Sequence, residues 1–220
     1  MLDPTGFPEP TLVCVNGVEL EVFEAGRENA GNSVVALSLP YQERGETPWI
    51  EFMEAVLGAD FYFVHFNRKP GVADAVLDEH TAQFLRNIFR KNEPAKPPQP
   101  GMVMIDLARA ETPLGEPVMS DGELAVFISA FEATGFTGSI NWYRNLDRNW
   151  RLLADVDPVI RQPALMIYGD RDAVLRSERL TAFVPNVEVV SLDCGHWIQQ
   201  EKPDETNQAI LKWLDQRAAV

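Results

Sequence analysis

Basic residues are scarce in this chain: 19 lysines and arginines stand against 33 aspartates and glutamates, a formal net charge of −14 over 220 residues. So strong an acidic excess is repelled by a phosphate backbone and by an anionic bilayer surface, which argues against nucleic-acid and membrane partners. Long apolar runs are missing as well. No segment approaches the roughly 18 consecutive apolar residues that span a bilayer, and residues 1–10 have neither a basic start nor an apolar stretch, so export is not expected. Cysteine is limited to Cys14 and Cys194, far apart and without metal spacing; two reduced thiols in a cytoplasmic setting are the expectation. With no ligand cluster and no Gly-rich phosphate loop, no metal or organic cofactor is expected either.

What is present suffices for a core, since 45% of residues are apolar and 10% aromatic. Asn16-Gly17 separates "TLVCV" from "VELEVFE", and this dipeptide between alternating segments predicts an antiparallel hairpin over 11–25, because both turn residues tolerate positive φ. Three later runs, "SVVALSL" at 33–39, "PALMIYG" at 163–169 and "VEVVSLD" at 187–193, are apolar on both faces and suit parallel strands covered by helices. Between 41 and 150 the period becomes helical. "TPWIEFMEAVLG", "GVADAVLDEHTAQFLRNIFRKN" and a segment at about 139–154 read as helices, interrupted by the Pro-rich "EPAKPPQPG". In "SDGELAVFISAFEATGF", Ser120 and Glu123 form a capping box, Leu124, Phe127, Ile128 and Phe131 a stripe, and Gly135 the stop. The chain thus reads as α/β, with core segments 1–40 and 151–220 around an all-helical insertion at 41–150, and a last helix over "PDETNQAILKWLDQ".

Two strand ends carry chemistry. Asp170 and Asp172 follow one apolar strand and His196 follows the next; in open α/β sheets such carboxyl ends gather catalytic groups. An acid and a histidine on adjacent strand-end loops match an orienting carboxylate and a general base, in the acid-then-His order of a hydrolase triad. The bland alternative has Asp172 capping the next helix and His196 satisfied in the core. The nucleophile that should precede both is not found. No Gly-x-Ser-x-Gly, nor its Asp or Cys variants, occurs; there is no His-Gly pair to start an oxyanion loop, and Cys194 reads as packing.

"GSINWYRNLDRNW" at 138–150, "FYFVHFNRKPGVADAVL" at 61–77, "YGDRD" and "DCGHW" together resemble the soluble epoxide hydrolases of the α/β-hydrolase fold, in matching order across most of residues 41–217. The resemblance implies that Tyr143 and Tyr62 are lid tyrosines that hydrogen-bond an epoxide oxygen. It further implies that Asp172 and His196 activate water against an alkyl ester on an Asp nucleophile. Read without it, either tyrosine is a lid-core aromatic. The related haloalkane and haloacetate dehalogenases share the Asp chemistry, but "NWYRN" favours the epoxide reading. Relative to that family the chain lacks the segment bearing the third to fifth strands, the oxyanion loop and the nucleophile elbow; the junction falls near 29–32. A shortened α/β-hydrolase fold is therefore expected, mostly parallel, with about five strands ordered 1-2-6-7-8 in family terms under the helical lid. Strand two would turn directly into strand six through "RENAGN". Exposed apolar surface where helices are missing leads to an expected homo-oligomer or swapped dimer. For function three readings stand: an impaired epoxide hydrolase acting on a small-molecule epoxide, one-step general-base hydrolysis through His196 and Asp172, and a non-catalytic or truncated binding or assembly protein.

Overall fold

A computed structural model describes residues 11–15, 18–22, 33–91 and 103–218. The chain divides into two compact units, 1–34 and 35–220. In the first, strands β1 (Thr11–Val15) and β2 (Val18–Val22) pair antiparallel, with Val15 opposite Val18. That register leaves two residues for the turn, as the Asn16-Gly17 signal predicts; the turn itself lies outside the described residues.

The second unit holds a three-stranded sheet in the order β3 (Val34–Leu37), β4 (Ala164–Gly169), β5 (Val187–Leu192), with β4 and β5 parallel. The expected single five-stranded sheet is not what the described strands form. β2 is grouped with β1 and β3 with β4, in two separate sheets. The "RENAGN" junction expected to make that hairpin, and the Pro-rich break at 93–101, lie outside the described residues. Central β4 is buried along its whole length. Its alternation sorts Ala164, Met166 and Tyr168 onto one face, packed on Leu180 and Val184, and Leu165 and Ile167 onto the other, packed on Cys194, Ile198 and Trp213. Burying a side chain such as Leu165 or Ile167 stabilises by about 1.5–3 kcal/mol. The expectation of two covered faces holds only in part for β5, the edge strand among the described residues: Val190 and Leu192 pack on one face, but on the other only Val187 does and Val189 is 49% exposed.

Among the described residues of 49–152 there are eight helices: α1 (Trp49–Leu57), α2 (Tyr62–Arg68), α3 (Val72–Glu79), α4 (Thr81–Ile88), α5 (Met104–Arg109), α6 (Asp121–Thr134), α7 (Thr137–Arg144) and α8 (Leu146–Leu152). Helices α2 to α7 share a core built on Phe66, Leu77, Phe84, Leu85, Phe136 and Ile140, while α1 and α8 pack with Phe61 and Val64 in a second cluster. At the start of α6 the capping box forms: Glu123 N–H donates to Ser120 Oγ at 3.3 Å, and Ser120 N–H donates to Glu123 Oε2 at 2.7 Å. Gly135 ends the helix at φ 69°, where a side chain is disfavoured. Two segments that read as single helices are each divided, at His80 (φ −119°, ψ 32°) and at Asn145. After β4 come α9 (Leu180–Phe183), then β5, α10 (Ile198–Glu201) and α11 (Pro203–Ala218).

Candidate functional site

The loops after β4 and β5 lie side by side because the strands are parallel neighbours. Their backbones meet: Arg171 N–H donates to Cys194 O at 3.0 Å. A Cβ at Gly169 would fall 2.7 Å from that same carbonyl and nearer still to Gly195 O, so only glycine fits there. The proximity brings Asp172 and His196 together, with Nδ1 of the ring 2.9 Å from Oδ2. The Asp172 side chain is 5% exposed and that of His196 39%. The other carboxylate oxygen accepts the Val174 N–H at 3.0 Å, so Asp172 closes a local turn while holding the ring, and no helix begins there for it to cap. His196 is half open to solvent rather than satisfied in the core. An ionised carboxylate only accepts, so Nδ1 donates and Nε2 is left as a proton acceptor. Asp170 faces elsewhere, pairing with Arg176 at 2.7 Å. Cys194 is a free, buried thiol; burial, and next the Glu201 carboxylate, push it up to about 11, which fits packing rather than nucleophilic attack.

Tyr62 and Tyr143 also meet. Their rings lie 5.5 Å apart at 75°, edge to face, and both touch Phe63 and Phe66. Burial raises both phenols, and proximity to Tyr143 adds to the rise at Tyr62, so both are hydrogen-bond donors at any ordinary pH. Two ties across α2 and α7 fix the pair. Asn67 Nδ2 donates to Phe63 O at 2.8 Å and Tyr143 O at 3.1 Å. Arg144 Nε donates to Phe66 O at 3.1 Å, while its Nη1 and Nη2 form a forked bond to Asp74, whose carboxylate also accepts from Thr137. Held first by Arg144, the Asp74 carboxyl falls to about 2. Sequence reading gave no role to Asn67, Asp74 or Arg144, although all three stand in the segments that carry the resemblance.

The helical block reaches the histidine loop through Trp197. Its indole N–H donates to Ile88 O at 3.1 Å, and its ring lies 4.5 Å from that of Phe89. Concavities of about 390 and 270 Å³ are lined by none of Asp172, His196, Tyr62 and Tyr143: the larger lies between β5 and α11, the smaller around His80 and Glu132. No described helix is long and apolar enough to cross a membrane.

No family model matches the chain. Among curated proteins, epoxide hydrolase A of Mycobacterium tuberculosis is 35% identical over 195 residues, covering 83% of this chain and 61% of that protein. Epoxide hydrolase 1 of Siraitia grosvenorii is 31% identical across 98% of this chain and 72% of its own length. The crystal structure of epoxide hydrolase A from Mycobacterium thermoresistibile superposes with a TM-score of 0.73 at 38% identity, over 84% of this chain and 61% of that one. The chain therefore spans about three fifths of the length of either epoxide hydrolase A. Identity at this level, sustained over 72% of one relative, means that the chain belongs to the epoxide hydrolase family, on an α/β-hydrolase fold.

Proposed function

We propose that this chain carries an epoxide-hydrolase site that keeps its epoxide-holding and water-activating groups and lacks a nucleophile, so that hydrolysis to a vicinal diol is impaired. The observation that carries this is the 2.9 Å contact of His196 with a nearly buried Asp172, beside a helical block holding two protonated phenols. In this reading Tyr62 and Tyr143 donate to the epoxide oxygen and disperse charge as the ring C–O bond breaks. The helices at 41–150 act as the lid, which the contacts of Trp197 with Ile88 and Phe89 support. The ester route of the family needs a carboxylate on a strand-to-helix elbow, and none is present in the sequence. Loss of such a nucleophile costs several orders of magnitude.

A second reading is favoured by one further observation: His196 is half exposed, and no hydrogen bond to its Nε2 is found among the described residues. That nitrogen can take a proton from water as the water oxygen bonds to an epoxide carbon. The ring oxygen leaves as an alkoxide and takes a proton from a tyrosine, and the imidazolium proton returns to the phenolate through solvent. The test is turnover of an aryl epoxide in ¹⁸O water by the parent and His196→Ala. Slow diol formation that depends on His196 and carries only solvent oxygen is expected. Equal diol from both proteins overturns the enzymatic reading and leaves epoxide binding without catalysis; protein carboxylate oxygen in the first-turnover diol overturns the absence of a nucleophile.

A further inference from the structure

The three residues centred on His196 are fastened from outside their own loop, at the peptide that follows His196 and at the N–H of Gly195. Gly195 N–H donates to Glu201 Oε2 at 2.9 Å and Trp197 N–H to Glu201 Oε1 at 3.3 Å, so one carboxylate grips the residues on either side. Between them, the carbonyl of His196 itself accepts from Ser38 Oγ at 2.7 Å. Ser38 comes from the end of β3, is 7% exposed, and adopts φ 63°, the only described non-glycine residue at positive φ. Its own N–H donates to Ile167 O at 3.0 Å, in the middle of β4. A left-handed serine is unfavourable without compensation. Here the conformation aims a buried hydroxyl at the histidine carbonyl, and neither glycine, which has no hydroxyl, nor a regular strand residue would reach it.

We propose that Ser38 and Glu201 are positioning residues for His196. They hold the peptide that follows it at both its carbonyl and its N–H and anchor the N–H of the residue before it, and thereby limit the direction of its Cα–Cβ bond, so that the ring stays on Asp172 and against Trp197, 5.1 Å away. The tolerance is narrow: the Nδ1–Oδ2 contact at 2.9 Å ceases to be a hydrogen bond if the loop moves by about 1 Å. The inference rests on the reading of His196 as the base, and it adds two residues from different elements to the machinery that reading requires.

The test needs no turnover. In the full-length, ¹⁵N-labelled chain the imidazole spectrum contains only His65, His80 and His196, and the His196 set is identified by its loss in His196→Ala. The parent should show an Nδ1-protonated His196 with a downfield, slowly exchanging Nδ1 proton. Ser38→Gly accepts the left-handed backbone at no steric cost and removes only the donor. Glu201→Gln keeps the size but offers one acceptor where two are needed. Each should speed exchange of that proton by about tenfold, the effect of one hydrogen bond on local opening. Ser38→Asn, which tolerates the left-handed region and carries a donor, and Glu201→Asp should restore part of the protection. Parent-like Nδ1 signals and exchange in Ser38→Gly and Glu201→Gln, whatever their melting temperatures, overturn the proposal; if Glu201→Gln does not fold, Ser38→Gly decides. An absence of epoxide turnover bears on the proposed function alone and leaves this readout intact.

Discussion

The Asp172 carboxylate is divided between two tasks, one oxygen on Val174 N–H and the other on the imidazole. Asp172→Asn keeps the turn but can turn a donor toward Nδ1, which favours the wrong tautomer; any His196-dependent diol formation should fall on the order of 10³-fold, measured by product analysis at saturating epoxide. At the tyrosines, Tyr62→Phe or Tyr143→Phe should each weaken epoxide binding by about tenfold in calorimetry, the share of one lost hydrogen bond. Because both phenols are raised above the ordinary tyrosine value, neutral donors persist past pH 10. Binding that is lost with a midpoint at or below pH 10 would contradict the assigned donors. Asp172 and His196 were legible in the sequence because strand ends are read from apolar runs, and adjacent ends must be close. Asn67, Arg144 and Asp74 were not, since their partners lie across a helix boundary that no local pattern encodes.

Helix ends announced themselves only where the chain spells a cap. Ser120, Glu123 and Gly135 bound α6 as read, whereas the break at His80 has no Gly or Pro to mark it, and there Thr81 Oγ1 bonds back to Leu77 O and Asp78 O instead. Asn145 breaks the next pair in a similar way, its side chain donating to Asn141 O at 2.9 Å while its backbone stays helical. The join between α7 and α3 carries a pH signature. Asp74 sits at about 2 when folded and near 3.8 when free, so its contribution is fully present above about pH 4 and is lost as pH falls toward 2. Asp74→Asn should therefore cost about 2 kcal/mol in denaturant unfolding at pH 7 and close to nothing at pH 2. Between the strand ends, Gly169→Ala forces a methyl into the Gly195 and Cys194 carbonyls, and a loss of about 3 kcal/mol is expected in the same measurement.

Over the whole chain, a net charge of −14 accompanies a short sheet whose edge strand β5 leaves Val189 exposed on one face, while Glu188, Val190 and Leu192 on the other line the groove against α11. Charge repulsion and apolar attraction oppose one another on such a surface. Raising salt from about 20 to about 500 mM screens the first and leaves the second, so sedimentation should report a shift toward a heavier species; an unchanged monomer would remove the expected self-association. The grouping of the described strands into β1-β2 and β3-β4-β5 could not have been read from the sequence, because turn-tolerant residues name no partner for the strand that follows them. Trp197 has a separate consequence. Its indole is hydrogen-bonded to Ile88 O, tilted against Phe89 and set beside the His196 ring, so with the other four tryptophans replaced by phenylalanine it becomes an internal optical gauge. Its emission would dim when the neighbouring imidazole takes up a proton and shift to the red when the helices part from the loop, a single colour-and-intensity signal for two events that activity assays cannot separate.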